Sequence, residues 1–430
     1  MKKLCSLALA VLMLFSAILP AAANSVQAPD SWRENWAERS SEHGKIIITP
    51  GENEACKSFR WISEGWDCGF EYQKAGEAAR SAVIERSLCP YGILNTVELN
   101  SLEAGEYSYS YCSDSQEYGP YSFTVEAEAE LFSVMFCNDI QLGRSGDNSE
   151  DAVINDTFGW ERTVNSAVKS DISFILSAGD QVNDGFSRQQ YSALLSPTAV
   201  KSLPIAAVPG NHDFYSPLYS CYFGNTGEDS IGNDCWFTYG GALFIMLDSN
   251  NLSALTHTAA IKQAVSACPD ARWRIAVMHN SLYGPFNSEN TEEVARSQPL
   301  TKAFDKYDID LVLSGHDHSY ARTLPLKNGA AAADGTVYLE GASASGSNYS
   351  YKENNSSRFA KTCDLQEPSY SVLNFSGGTL EIKSIRTDSG EVFDSFTLSA
   401  EENKFQPAKG LLELLRDLFR RLTELFSAVC

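Results

Sequence analysis

Ile309-Asp310-Leu311-Val312-Leu313-Ser314-Gly315-His316-Asp317-His318 is the stretch whose reading decides the fold: an apolar run of strand length that ends in a glycine and two histidines. The same construction recurs upstream. Pro204-Ile205-Ala206-Ala207-Val208 leads into Gly210-Asn211-His212-Asp213, and Arg274-Ile275-Ala276-Val277-Met278 leads into His279. Val134-Met135-Phe136 leads into Asp139, and Phe174-Ile175-Leu176 leads into Gly179-Asp180. Four of the six histidines of the chain fall in three of these segments. Short apolar runs bounded by turn residues read as buried strands. Strands that all end in Asp, Asn or His bring those side chains to the carboxyl edge of a sheet, where α/β proteins bind ligands. Imidazoles, carboxylates and an amide converging there make a metal site, with donors enough for two ions.

Between these strands the pattern turns helical, at 150–169, 187–200, 257–267 and 291–307, and later β-like at 335–340, 369–386 and 391–398. This predicts an α/β domain over 131–400. Residues 44–128 read differently. Short β-rich runs (Lys45–Thr49, Ser58–Ser63, Gly69–Tyr72, Thr96–Leu99, Tyr107–Cys112, Tyr121–Val125) alternate with turns such as Pro50-Gly51-Glu52-Asn53. They predict an all-β sandwich with Trp61, Tyr107, Tyr109 and Phe123 in its core. A short N-terminal segment, 24–43, precedes it. Residues 401–409 read as a linker, and 410–430 as an amphipathic helix with Leu411, Leu414, Leu415, Leu418, Leu422, Leu425 and Phe426 at helical spacing. Such a helix packs on its own domain, associates with a second copy, or lies on a membrane surface.

The remaining composition bounds the setting. Residues 1–23 have a basic start (Lys2-Lys3), an apolar stretch from Leu7 to Leu19 and small residues at Ala21-Ala22-Ala23, which is the form of an export signal. The apolar stretch is shorter than the roughly 20 residues a membrane span requires. A secreted or otherwise extracytoplasmic protein is expected. The net charge of −22 leaves no basic stripe for nucleic acid, so none is expected as partner. Of 11 cysteines, ten remain beyond the signal, and export favours disulfides. Cys221 with Cys235, Cys56 with Cys68 and Cys89 with Cys112 are the pairs proximity in sequence offers. Cys137, inside a strand, reads as a buried thiol. His43 and His257 lie outside every motif and read as surface or cap residues. No Gly-x-Ser-x-Gly elbow supports a serine hydrolase.

Taken in order, Asn138-Asp139-Ile140-Gln141, Gly179-Asp180-Gln181-Val182-Asn183, Gly210-Asn211-His212-Asp213, Met278-His279-Asn280 and Gly315-His316-Asp317-His318 resemble the motifs of the calcineurin-like metallophosphoesterases, and within them the purple acid phosphatase branch. The resemblance covers Leu131 to about Leu398. It implies a layered α/β/β/α sandwich, here preceded by a fibronectin type III-like domain. It also implies two divalent or trivalent ions, Fe, Zn or Mn. Asp180 would bridge them, Asp139 and His318 would complete one set, and Asn211, His279 and His316 would hold the other. Carboxylate and neutral imidazole suit these metals. Two such ions acidify a bound water to hydroxide and clamp an in-line displacement at phosphorus. By the same resemblance His212 donates a proton to the leaving oxygen, Asp213 orients His212, and Arg322 contacts phosphate. The expected substrate is a small phosphate ester.

Two positions depart from the pattern. Purple enzymes carry an iron-binding tyrosine three residues after the second motif's aspartate, where this chain has Asn183, so no purple colour is expected. The first motif has Gln141 where relatives have histidine or glycine. Either amide is placed as a ligand of the first ion or as a residue behind it. These departures leave an alternative: a catalytically weak phosphatase-like protein that binds surfaces. Tyr283, Phe286, Tyr320 and the loop from Tyr215 to Trp236 are expected to line the site.

Overall fold

The computed structural model describes residues 26–41, 44–126, 130–224, 233–286, 291–352, 354 and 356–400, without the side chains of 291–298. The expected export signal, His43 and the C-terminal amphipathic helix lie outside the described residues. Among the described residues no helix is long and apolar enough to cross a membrane.

The apolar runs of the α/β region form two sheets laid face to face. One has the spatial order Ile205–Ala207, Phe174–Ser177, Leu131–Cys137, Ser369–Ser376, Thr379–Arg386, Val392–Ser399. Its first three strands are parallel, and the last three join as antiparallel hairpins. The other runs Cys235–Tyr239, Ala242–Leu247, Trp273–Asn280, Leu311–Gly315, Val337–Glu340, Tyr320–Thr323, Phe359–Cys363. Its four central strands, Ala242–Leu247 to Val337–Glu340, are parallel. Parallel strands are covered on both faces, which is why they read as unbroken apolar runs.

Three clusters of buried side chains fill the layers. Phe132, Val134, Phe136, Phe174 and Leu176 meet Phe237, Phe244, Ile275, Val277 and Leu313 between the sheets. On the outer face of the first sheet, Met135, Cys137 and Ile175 pack under Val153, Trp160 and Val164 of the helix Glu150–Ala167. On the outer face of the second, Leu243, Ile245 and Leu247 pack under Ile261 and Val265 of Ala254–Ala267 and Phe304 of Thr291–Lys306. The result is the expected α/β/β/α layering. Three helices, those beginning at Glu150, Arg188 and Ala254, start on a serine: Ser149, Ser187 and Ser253 accept a backbone N–H from the first turn that follows.

Residues 46–125 form two four-stranded antiparallel sheets, with strands at Arg80–Ser81 and Glu85–Cys89 that composition does not announce. Trp61, Tyr107, Tyr109 and Phe123 are buried in one aromatic cluster with Phe59 and Phe70, as expected. This unit abuts the α/β layers, where Tyr109 Oη donates to the carbonyl of Lys201 at 2.8 Å. The N-terminal segment docks on the helix Glu150–Ala167 through Trp32 to Glu161 and Trp36 to Glu150.

The cysteines do not pair as expected. Among the described residues none are joined by a disulfide. Cys221 instead hydrogen-bonds with Cys89, and burial pushes its thiol up to about 12. Cys112 lies opposite Gly69 in register, beside Cys68 rather than Cys89. Cys137 is buried, and that burial pushes its thiol up to about 12, which disfavours the thiolate a metal would need.

Candidate metal centre

All five motif loops leave the carboxyl ends of parallel strands and meet over the gap between the two sheets. Asp139 and Asp180 follow Leu131–Cys137 and Phe174–Ser177, and their backbones interlock: Asp139 N donates to Gly179 O at 3.0 Å and Gln141 N to Asp180 O at 2.8 Å. Asp139 (φ 46), Asp180 (φ 51), His316 (φ 84) and His318 (φ 53) all sit in the left-handed region, which turns each side chain inward at the strand end. Gly210 and Gly315 are required by close approach. A Cβ at either position would collide with a carboxylate oxygen, of Asp180 and Asp139 respectively.

The donor atoms converge. Ligand atoms of Asp139, Asp180 and His279 lie within 4.8 Å of one another. His279 Nε2 is 3.5 Å from Asp180 Oδ2, 3.1 Å from Asn211 Oδ1 and 3.1 Å from His316 Nδ1. His318 Nε2 is 3.6 Å from Asp139 Oδ1. His279 Nδ1 is 2.9 Å from the carbonyl of Ala178 and donates to it, which leaves Nε2 as the nitrogen turned toward Asn211 and Asp180. Acceptors this close, together with a buried Asp139 Oδ1 and a buried Gln141 Oε1 that have no hydrogen-bond partner, fit a cation between them. Burial alone would raise the Asp139 carboxyl, but His318 and His279 hold it below its usual value. Burial, opposed by His212 and reinforced by Asp139, pushes Asp180 up to about 7. His279 is fully buried while His316 and Asn211 are exposed, so the centre opens to solvent on one side.

Several expected residues stand elsewhere. Asp213 does not orient His212. Its buried carboxylate accepts from Gln181 N (3.0 Å), Gly210 N (3.1 Å) and Tyr191 Oη (3.2 Å), which ties the Asp180 and Asn211 loops together. The His212 ring is held instead by the main-chain carbonyl of Asn183, 2.7 Å from Nδ1. The Asn183 amide donates to Asn148 at 2.8 Å. Gln141 stays in the centre, its Nε2 3.5 Å from Asp180 Oδ2. Arg322 is not at the phosphate side. It pairs in bidentate fashion with Asp394 at 2.7 and 3.0 Å and stacks on Phe396. Tyr320 is buried, its hydroxyl on Asp394 and Ser384, so it does not line the cleft. His257 is buried rather than a surface residue.

One residue at the rim belongs to no motif. Arg144 begins the turn Arg144–Gly146 just after Gln141, is exposed, and its charge bears on both Asp180 and His318. Asp156 anchors that turn by accepting from Gly143 N at 2.9 Å and Ser145 N at 3.3 Å. The alternating glycines and polar residues of 143–149 read as an ordinary loop, so nothing in the sequence marks Arg144.

Residues 132–320 match the family model described as Calcineurin-like phosphoesterase. This stretch is a calcineurin-like phosphoesterase domain. Purple acid phosphatase 23 of Arabidopsis thaliana is 26% identical to this chain over 156 residues, which is 32% of the chain and 33% of that relative. The chain therefore spans only a third of the length of that curated relative. An uncharacterized protein of Mycobacterium tuberculosis is 34% identical over 55 residues, 13% of this chain and 10% of its own length. Among solved structures, purple acid phosphatase PPD1 from yellow lupin (Lupinus luteus) seeds superposes with a TM-score of 0.67 at 16% identity, covering 85% of this chain and 77% of that one. PhoD superposes with a TM-score of 0.58 at 11% identity, covering 85% and 92%. At these identities the two structures show a shared fold. All the motif loops of the phosphoesterase domain lie inside the matched stretch.

Proposed function

We propose that the phosphoesterase domain hydrolyses phosphate esters at a centre of two metal ions, one held by Asp139, Asp180 and His318, the other by Asp180, Asn211, His279 and His316. The observation that carries this reading is the convergence of Asn211 Oδ1, His316 Nδ1 and Asp180 Oδ2 within 3.5 Å of His279 Nε2. Bound there, the ions supply Lewis acidity and an acidified water. Gln141 adds an amide beside Asp180. In this reading residues 131–400 form the hydrolase, 44–128 a fibronectin type III-like unit, and Fe, Zn or Mn the ions.

The chain's own groups account for the rest. Asn183 O fixes Nδ1–H of His212, so Nε2 is the atom presented to a substrate, and a proton on it can pass to the leaving oxygen. Arg144, on the open side, offers the charged donor fork that an entering phosphate requires. Exposed Asn211 and His316 leave room for a small ester to enter from solvent. The test is direct. The full chain loaded with Zn, Mn or Fe should cleave a chromogenic phosphate ester, and Asp180→Ala or His279→Ala should abolish cleavage. Tight metal binding with no turnover on any mono- or diester would favour the surface-binding alternative instead.

A further inference from the structure

Buried His257, in the helix Ala254–Ala267, lies outside every ligand loop, yet both its ring nitrogens meet oxygens that can only accept. Nδ1 is 2.6 Å from Asp234 Oδ2 and Nε2 is 2.7 Å from the carbonyl of Asn251. A neutral ring carries one N–H and would set a lone pair against one of these oxygens. Both bonds form only when both nitrogens are protonated. Charged groups facing the ring are Asp234, in direct contact, and Asp248, whose N–H is held by Asp234 Oδ1 at 2.9 Å. The same helix also packs on Leu243, Ile245 and Phe304, which are apolar.

What His257 grips leads to the metal loops. Asn251 belongs to the turn after the strand Ala242–Leu247, closed by Asn251 N on Asp248 O at 3.0 Å. In that turn Asn250 Nδ2 donates to Pro209 O (3.2 Å) and Gly210 O (3.3 Å), immediately before Asn211. Ser249 Oγ donates to Asn280 Oδ1 and accepts from Asn280 N, both at 2.9 Å, immediately after His279. One turn thus braces the two loops that supply the second ion's ligands.

We infer that His257 is held as an imidazolium and is a positioning residue, which clamps the 248–251 turn and through Asn250 and Ser249 sets the spacing of Asn211 and His279. Partners behind metal ligands of this kind typically govern about ten- to hundredfold in affinity. The inference rests on the proposed metal reading for its consequence, but not for the state of the ring. Two readouts therefore precede any metal. In the full chain labelled with ¹⁵N-histidine, both His257 nitrogens should resonate as protonated at pH 7.5, and a single protonated nitrogen would overturn the inference. Hydrogen exchange should rise about tenfold at Asn280 in His257→Gln and in Ser249→Ala. Unchanged exchange in His257→Gln would overturn the clamp. Zn²⁺ titration of the metal-free full chain should then show His257→Gln weakening one of two ions about ten- to hundredfold and sparing the other, with a thermal transition still present. Equal loss at both ions, or at neither, would overturn it. If the wild-type chain binds no Zn²⁺, the hydrolase reading fails, while the ring and exchange measurements still decide the clamp.

Discussion

The Nδ1 atom of His212 lies 2.7 Å from the main-chain oxygen of Asn183, so the acid proposed for the leaving group is oriented by the backbone of the Asp180 loop, not by its neighbour Asp213. A carbonyl cannot be removed by side-chain substitution, so the role is tested at His212 itself. His212→Asn should lower kcat about 10²- to 10⁴-fold. The loss should be large for alkyl phosphates and small for p-nitrophenyl phosphate, whose leaving group requires little protonation. An equal loss on both substrates would count against proton donation.

Asp213 should behave as a brace. Asp213→Asn retains the shape but weakens the bonds to Gln181 N and Gly210 N, so Zn²⁺ affinity should fall while the pH profile of turnover keeps its form. A shift of the acidic or basic limb in steady-state assays would instead make it part of the proton path.

Arg144→Ala should raise KM about tenfold or more with kcat nearly intact, because an exposed guanidinium attracts the phosphate before reaction. The wild-type KM should climb with ionic strength and that of the variant should climb less. Arg144→Lys should recover only part of the loss, since an ammonium does not reproduce the fork.

Arg322→Ala should leave turnover unchanged and cost stability, roughly 2–4 kcal/mol for breaking a mostly buried pair. Burial alone would raise the Asp394 carboxyl, but Arg322 and Tyr320 hold it below its usual value. The stability this pair contributes is therefore present above the unfolded carboxyl range near ~4 and is lost as pH falls through the lower folded value. Urea denaturation between pH 3 and 7 should show that acid-side loss in the wild type and not in Arg322→Ala.

Iron-loaded protein should lack an intense visible charge-transfer band, because Asn183 stands where the purple enzymes place tyrosine and its amide is engaged with Asn148. An absorption spectrum of the reconstituted protein decides this.

The layers and the meeting of the motif loops were legible because both follow from short-range rules. Apolar runs such as Ile275 to Met278 are buried on both faces, and a ligand must sit where such a run stops. Asn211, His279 and His316 meet at one sheet edge, as that logic expects. What failed were several inferences about where a polar side chain turns. Arg322 follows the last motif by four residues, but the strand Tyr320–Thr323 carries it toward Asp394. Asp213 adjoins His212 in sequence and faces the opposite way. Cys221 meets Cys89 of the strand Glu85–Cys89, far away in the sequence. The roles proposed for Arg144 and His257 rest on geometry that only the folded loops create.

Four of the proposed ligands occupy left-handed backbone, a conformation that costs an ordinary side chain on the order of 1 kcal/mol and glycine almost nothing. Selection for toughness alone would therefore drive Asp139, Asp180, His316 and His318 toward glycine and erase the chemistry. Any laboratory evolution of this protein for heat resistance, run without an activity screen, should lose its reactivity at these four positions before it loses a single core residue.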